Sequence, residues 1–504
     1  MTTTPPPSAV PAPLRPPVPA MDQLFGSLWP EKGLAARPRF VAAALGAGLL
    51  AALVLPNRAL GVGTFVVLIT GCAVVAVADR RLHTAYHLTA AVLCTLLLSM
   101  VLVRDAGWVV VLCLLSALAV GTSTLVGSRT IVGIVLAGAA VPLAGLRGMP
   151  WLGRSMTFGR PTRAWLPAVR TAALSMLLVL VFGALFASAD ALFASWVDAA
   201  LPDLSLDMAF ARAFVTVAFA GLTLTGVYIA LNPPTMADVT VPLGGAVRRP
   251  WEWLVPVGLV VAVLAVFVLA QLAVMFGGHA YLHRTTGLTY AAYVHQGFWQ
   301  LMWATLLTLV VVAVAAAKAT RATAADRTLL RVVLGGLCLL TLVVVASALY
   351  RMHVYEQAYG FTRLRLLVSV FEGWLGLVVL LVMVAGVLMS SGWLPRAVLL
   401  TGAATLLALA LANPDAMIAR HNLDRYAETG LLDRGYLEGL SADAVPTLAA
   451  AGVDLTCMYA VHEVGHDDWL EWNLGRERAA HHPGTDLSAP TLDLCATVDV
   501  YGGP

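Results

Sequence analysis

Apolar runs recur almost without pause from residue 40 to residue 412, and they leave this chain few ways to fold. They fall at about 40–55, 60–78, 86–103, 107–126, 130–146, 168–189, 208–231, 252–276, 295–317, 329–349, 366–389 and 394–412. A helix needs about 20 apolar residues to cross a bilayer, and most of the runs meet that length. In lipid every backbone polar group must find a partner inside its own segment, so such runs fold as helices. Only 12% of the residues are charged, against about 25% in soluble domains. The expectation is an all-α, polytopic transmembrane bundle of 11–12 helices spanning 39–412. Pro142 and the short length of 130–146 favour a partial or re-entrant span there.

Charge is placed unevenly. Residues 413–504 hold 15 Asp/Glu against 5 Arg, a net of −10, although the whole chain has a net charge of +3. With 130–146 not crossing and the N-terminus in the cytoplasm, 19 of the remaining 26 Lys/Arg fall on the cytoplasmic side. That is the direction of the positive-inside rule. It gives eleven crossings of the cell membrane and places the acidic C-terminal region outside. An acidic region on a membrane bundle argues against nucleic-acid binding, which wants a basic soluble module. The expected environment is the lipid bilayer, with a protein partner or a small-molecule ligand left open.

Residues 1–38 begin with a proline-rich stretch that reads as an extended, disordered tail. From Asn413-Pro414 the spacing predicts short helices separated by turns, a compact helical C-terminal domain over 413–480. Residues 481–504 read as a flexible tail. Cys72, Cys94, Cys113 and Cys338 lie in apolar runs and read as small hydrophobes. Cys457 and Cys495 are the two in the acidic region, able to pair only if that region is extracytoplasmic.

The densest polar stretch between two runs is 349–372. It carries Arg351, His353, Glu356, Arg363 and Arg365 among Tyr350, Tyr355 and Tyr359, with a break at Gly360. Aromatic rings and long arginines favour the headgroup level, so its plainest reading is an interfacial hairpin. Glu372 resists that reading. It lies six residues inside the 366–389 run, on the order of 9 Å along the helix, where a carboxylate is costly unless paired, protonated or facing a wet cavity. Arg365 and Ser369 precede it by seven and three residues and share its helical face. Seven residues is too long for a direct contact, so a partner is expected from another helix. Glu372, Arg365, Ser369, Arg351, Glu356 and Arg363 are therefore the candidate polar site.

His462-Glu463-Val464-Gly465-His466 matches H-E-x-x-H, in which two imidazoles hold zinc and the glutamate acts as general base. Zinc also needs a third protein ligand. Glu471, Glu477, Asp486, Asp493 and Asp499 follow in no metalloprotease spacing, and Gly465 weakens the helix the motif needs. The expectation is no cofactor, with zinc at His462 and His466 as the alternative. His279 and His283 are a weaker metal pair of the same spacing, without a third ligand.

"YRMHVYEQAYGFTRLR" at 350–365, "GLTYAAYVHQGFWQL" at 287–301, "NPDAMIARHNLDRY" at 413–426 and "YLEGLSADAVPTL" at 436–448 together resemble an uncharacterised bacterial membrane family. It is the domain of unknown function 4173, with its relative 4153. The resemblance implies a membrane protein and supplies no activity, substrate or catalytic residue. Two functions follow from the residues. One is binding or moving a small molecule or lipid through a polar site near Glu372. The other is a membrane scaffold or signalling protein presenting its C-terminal domain to an envelope partner. A zinc peptidase comes third.

Overall fold

A computed structural model of the chain describes most of residues 25–156, 206–286, 298–453 and 467–481, with a few positions between 171 and 196. Among the described residues every regular element is a helix. In chain order these are α1 (Pro38–Val54), α2 (Val62–Ala78), α3 (Ala85–Val103), α4 (Gly107–Val126), α5 (Ile131–Arg147), α6 (Met149–Ser155) and α7 (Leu206–Leu231). There follow α8 (Trp251–Thr286), α9 (Phe298–Lys318), α10 (Ala324–Tyr359), α11 (Arg363–Leu388) and α12 (Leu394–Leu411). The chain then forms α13 (Pro414–Thr429), α14 (Arg434–Glu438), a 3-10 turn (Ala442–Ala444), α15 (Val445–Ala450) and α16 (Leu474–Ala480).

Eight of these, α3, α4 and α7–α12, are long and apolar enough to cross a membrane. The helices α1 and α2 are apolar but only 17 residues each, and α5 with α6 forms a pair bent by 50°. The run at 168–189 falls largely outside the described residues. Leucines and valines such as Leu53, Val263, Val266 and Val387 point outward, each more than 60% exposed. A continuous apolar perimeter of this kind belongs in lipid. This is a polytopic helical membrane bundle.

The loops sort onto two faces. On the far face, Arg81 donates from Nη2 to Leu125 O at 2.6 Å, and Arg396 donates to Ser128 O at 2.9 Å. There too Val247 N–H meets Lys318 O at 3.0 Å, and Arg331 reaches Val387 O at 3.1 Å. Helix α5 stays at this face. Thr130, at its start, donates to Val239 O, while Arg147, at its end, donates to Trp29 O. Its buried Ala137, Ala140 and Ala144 cluster with Phe40, Ala78, Val126 and Tyr228, which lie at the far-face ends of α1, α2, α4 and α7. Trp29, in the stretch whose proline content suggests a disordered tail, is fully buried in the same cluster. Its indole N–H donates to Asn232 O at 2.7 Å. One large ring that fills a gap between helix ends outweighs the flanking sequence.

The opposite face carries a cap built from α13–α16. The cap and the bundle share one core, in which Ile418, Leu437, Val445, Leu448 and Ala479 pack with Leu97, Met100, Val109 and Leu409. Polar side chains close the joint by capping helix ends, whose last carbonyls have no partner within the helix. Arg58 donates to Leu53 O and Val54 O at the end of α1. Asn473 donates to Val101 O and Arg104 O at the end of α3. Arg425 donates to Gln357 O and Ala358 O at the end of α10. Arg104 donates to Ala410 O and Leu411 O at the end of α12. Three of the four are arginines, whose charge also suits a helix C-terminus.

Candidate functional site

Helix α10 runs through the stretch that its charges and aromatics suggest is an interfacial hairpin. It continues to Tyr359 and stops at Gly360, whose φ of +81° is open to glycine. Thirty-six residues make a rod of about 54 Å, well over the roughly 30 Å of a bilayer core. The polar end, 350–359, is thus the cap-side extension of a spanning helix. Thr362 then caps α11 by accepting from Arg365 N–H.

This extension and three neighbouring helices build a polar layer just beneath the cap. Arg351 on α10 donates from Nη2 to Gln271 Oε1 on α8 at 2.6 Å, and Ser347 Oγ donates to the same oxygen at 3.2 Å. Ser369 on α11 donates to Glu356 Oε1 on α10 at 3.4 Å, and Glu356 is buried. Glu372, one turn further along α11, has no exposed surface. Its Oε1 lies 3.4 Å from Thr305 Oγ1 on α9, a hydroxyl that also donates to Leu301 O at 3.1 Å. Its Oε2 has no hydrogen-bond partner among the described residues.

Two of the sequence-predicted residues leave this group. Arg365 shares the helical face of Glu372, but its long side chain turns back to Tyr359 O and Gly360 O, with its guanidinium 4.5 Å over the Tyr355 ring. It caps α10 rather than approaching Glu372. Arg363 turns into the cap, where Nε and Nη2 grip both oxygens of Asp415 at 3.1 and 2.6 Å. The partner that spacing demanded for Glu372 is Thr305, from another helix. Gln271, Ser347 and Thr305 escaped the sequence reading. A lone amide inside the 252–276 run was the available signal.

Asp415 is the pivot of the joint. It is wholly buried and also accepts from Trp108 Nε1 at 3.0 Å and from Ser441 N–H at 3.0 Å. Burial pushes its carboxyl up, but the Arg363 pair and the two further donors together hold it below the usual carboxylate range. Asp443 differs. Its Oδ2 accepts from Asp105 N–H and Ala106 N–H at the start of α4, at 2.8 and 2.9 Å, yet burial leaves the carboxyl raised. Its Oδ1 has no hydrogen bond and sits 3.7 Å from an Arg104 nitrogen.

Two cavities lie at the cap. One, about 550 Å³, is lined by Ala59, Leu60, Arg104, Asp105, Asp467, Glu471 and Arg476. Arg476 there is matched by Asp105 at 2.9 Å and Asp467 at 2.7 Å. The other, about 210 Å³, is lined in part by Arg104, Arg420, Asp443, Gly475 and Arg478. Neither reaches Glu372. Among the described residues no group of His, Cys, Asp and Glu could hold a metal ion. His462, Glu463 and His466 lie outside the described residues, as do Cys457 and Cys495 and the side chains of His279 and His283.

The model of the family described as Domain of unknown function (DUF4153) matches residues 88–451. The chain belongs to that family. Of the two families its motifs resemble, the match is to the one numbered 4153. The DUF4153 region runs from within α3 past the end of α15. It therefore contains Glu372 and its layer, the Arg363–Asp415 pair and Asp443, while α1, α2 and α16 lie outside it. No curated protein and no solved structure matches the chain.

Proposed function

We propose that this multi-pass protein of the cell membrane binds or moves a small molecule or lipid through the polar layer around Glu372. One observation carries the reading. Glu372 is a fully buried carboxyl group facing Thr305 of α9, with one oxygen lacking a partner among the described residues. Such a group is expensive inside a membrane protein and is by default a sign of function. The layer around it offers the mixed donors and acceptors that a polar ligand needs, in Gln271, Arg351, Ser369 and Thr305.

We further propose that the cap is extracytoplasmic and the N-terminus cytoplasmic. Arg80, Arg81, Arg129, Lys318, Arg321, Arg327 and Arg396 belong to far-face loops and helix ends, and positive charge gathers on the cytoplasmic side.

A thermal-stability screen of the purified protein against small solutes and extracted lipids tests the site. A true ligand raises the unfolding temperature through binding to the folded state. Glu372→Gln is expected to weaken its binding at least tenfold. A ligand that protects wild type and Glu372→Gln equally would contradict the proposal. In cells, an intact phenotype for Glu372→Gln combined with loss of phenotype on cap surface substitutions would favour the scaffold reading instead.

A further inference from the structure

The smaller cap cavity has a charge pattern that the joint does not explain. Arg104, Arg420 and Arg478 all line it, and Asp443 is the only carboxylate among the described residues that do. Arg104 is committed to the end of α12, but Arg420 and Arg478 are exposed and have neither an ion pair nor a hydrogen bond among the described residues. The larger cavity differs, since carboxylates answer its Arg476. Two uncommitted guanidiniums beside a third leave a local excess of positive charge facing about 210 Å³ of open space.

Guanidinium forks match the oxygens of phosphate groups, and clusters of them are the usual way proteins hold such anions. Asp443 does not answer Arg420 and Arg478: it is 4% exposed, its Oδ1 is covered and lies 3.7 Å from an Arg104 nitrogen, and a Cβ at Gly475 would fall on that oxygen. The cavity also lies beside Ala412 and Asn413, just past the last residue of α12, and beside Arg104, just past the last residue of α3. That is the level of the lipid headgroups.

We infer that this cavity binds a phosphate ester, with Arg420 and Arg478 on the phosphate. A phospholipid headgroup and a soluble phosphate ester share this chemistry. The inference does not rest on Glu372.

The test uses the full-length purified protein. Binding is measured to lipid vesicles of phosphatidylglycerol in phosphatidylcholine, to phosphatidylcholine alone, to soluble glycerol phosphate and to inorganic phosphate. Preference for phosphatidylglycerol vesicles supports the lipid source, and saturable binding of glycerol phosphate supports the soluble one. In either case Arg420→Gln with Arg478→Gln is expected to weaken binding at least tenfold, and Arg→Lys at both positions by less. Both side chains are exposed and have no partner among the described residues, so the unfolding temperature without ligand should not move. Inorganic phosphate bound more tightly than glycerol phosphate and the phosphatidylglycerol vesicles would overturn an ester as the ligand. Failure to bind any probe, or equal binding by the double Gln variant, would overturn the site.

Discussion

Asp415 in the cap and Glu372 in the bundle are both completely buried, yet their surroundings treat them in opposite ways. Asp415 accepts four hydrogen bonds, two of them from one guanidinium. Glu372 has a single 3.4 Å contact with a hydroxyl already shared with a backbone carbonyl. A buried charge that is paired and fully bonded serves as a fastener, whereas one left half-satisfied is a burden unless it has another use. The difference separates a joint from a working site. It also assigns Arg363 to the joint, and Arg351 with Glu356 and Glu372 to the layer.

The largest effect should come from cutting the joint. Arg363→Ala leaves Asp415 buried without its cation and is expected to cost about 3 kcal/mol, the low end for a broken buried pair, because Arg363 is itself 35% exposed. Thermal or denaturant unfolding in detergent measures it. A loss no larger than that of an exposed surface pair would erase the distinction between the two regions.

Acid should loosen the same joint. The Asp415 carboxyl is held below its ordinary range in the folded state, so its stabilising contribution is full above the unfolded value and fades as pH falls through the folded one. Wild type should therefore lose stability on acidification, and Asp415→Asn should flatten that dependence. The loss is expected to be smaller than for Arg363→Ala, since asparagine leaves no buried charge and its one oxygen still serves either Trp108 or Ser441. Parallel pH profiles for the two proteins would count against it.

At Glu372 the same carboxylate-to-amide change should behave differently. Glu372→Gln replaces a buried carboxyl that has one weak hydrogen bond among the described residues, so stability is expected to change by less than about 1 kcal/mol or to rise. Asp415→Asn, made in parallel, should be the costlier of the two. If Glu372→Gln proves as damaging as Asp415→Asn, the carboxylate is a fastener too. The smallest effect is expected at Thr305→Val, about 0.5–1 kcal/mol for one shared hydrogen bond, read from the same unfolding curves.

The bundle was legible because lipid imposes one rule on every crossing segment, and each segment obeys it on its own. The runs at 107–126 and 394–412 became α4 and α12 almost residue for residue. Glu372 was legible for the converse reason, as a carboxylate that breaks the rule. The joint was not. Asp415 looks like an ordinary acidic residue in the first turn of a helix, and its partner Trp108 lies 307 positions away in sequence. Arg365 misled because a shared helical face fixes where a side chain starts. A long guanidinium near unpaired carbonyls decides for itself where it ends.

The cap face and the far face should lie on opposite sides of a membrane. Labelling of single cysteines in intact cells by a membrane-impermeant thiol reagent addresses that directly, with Arg434→Cys on the cap and Arg321→Cys on a far-face loop, both exposed positions. The account predicts that Arg434→Cys is labelled before lysis and Arg321→Cys only after it. The reverse order would contradict the sidedness, and labelling of both in unbroken cells would contradict the membrane bundle itself.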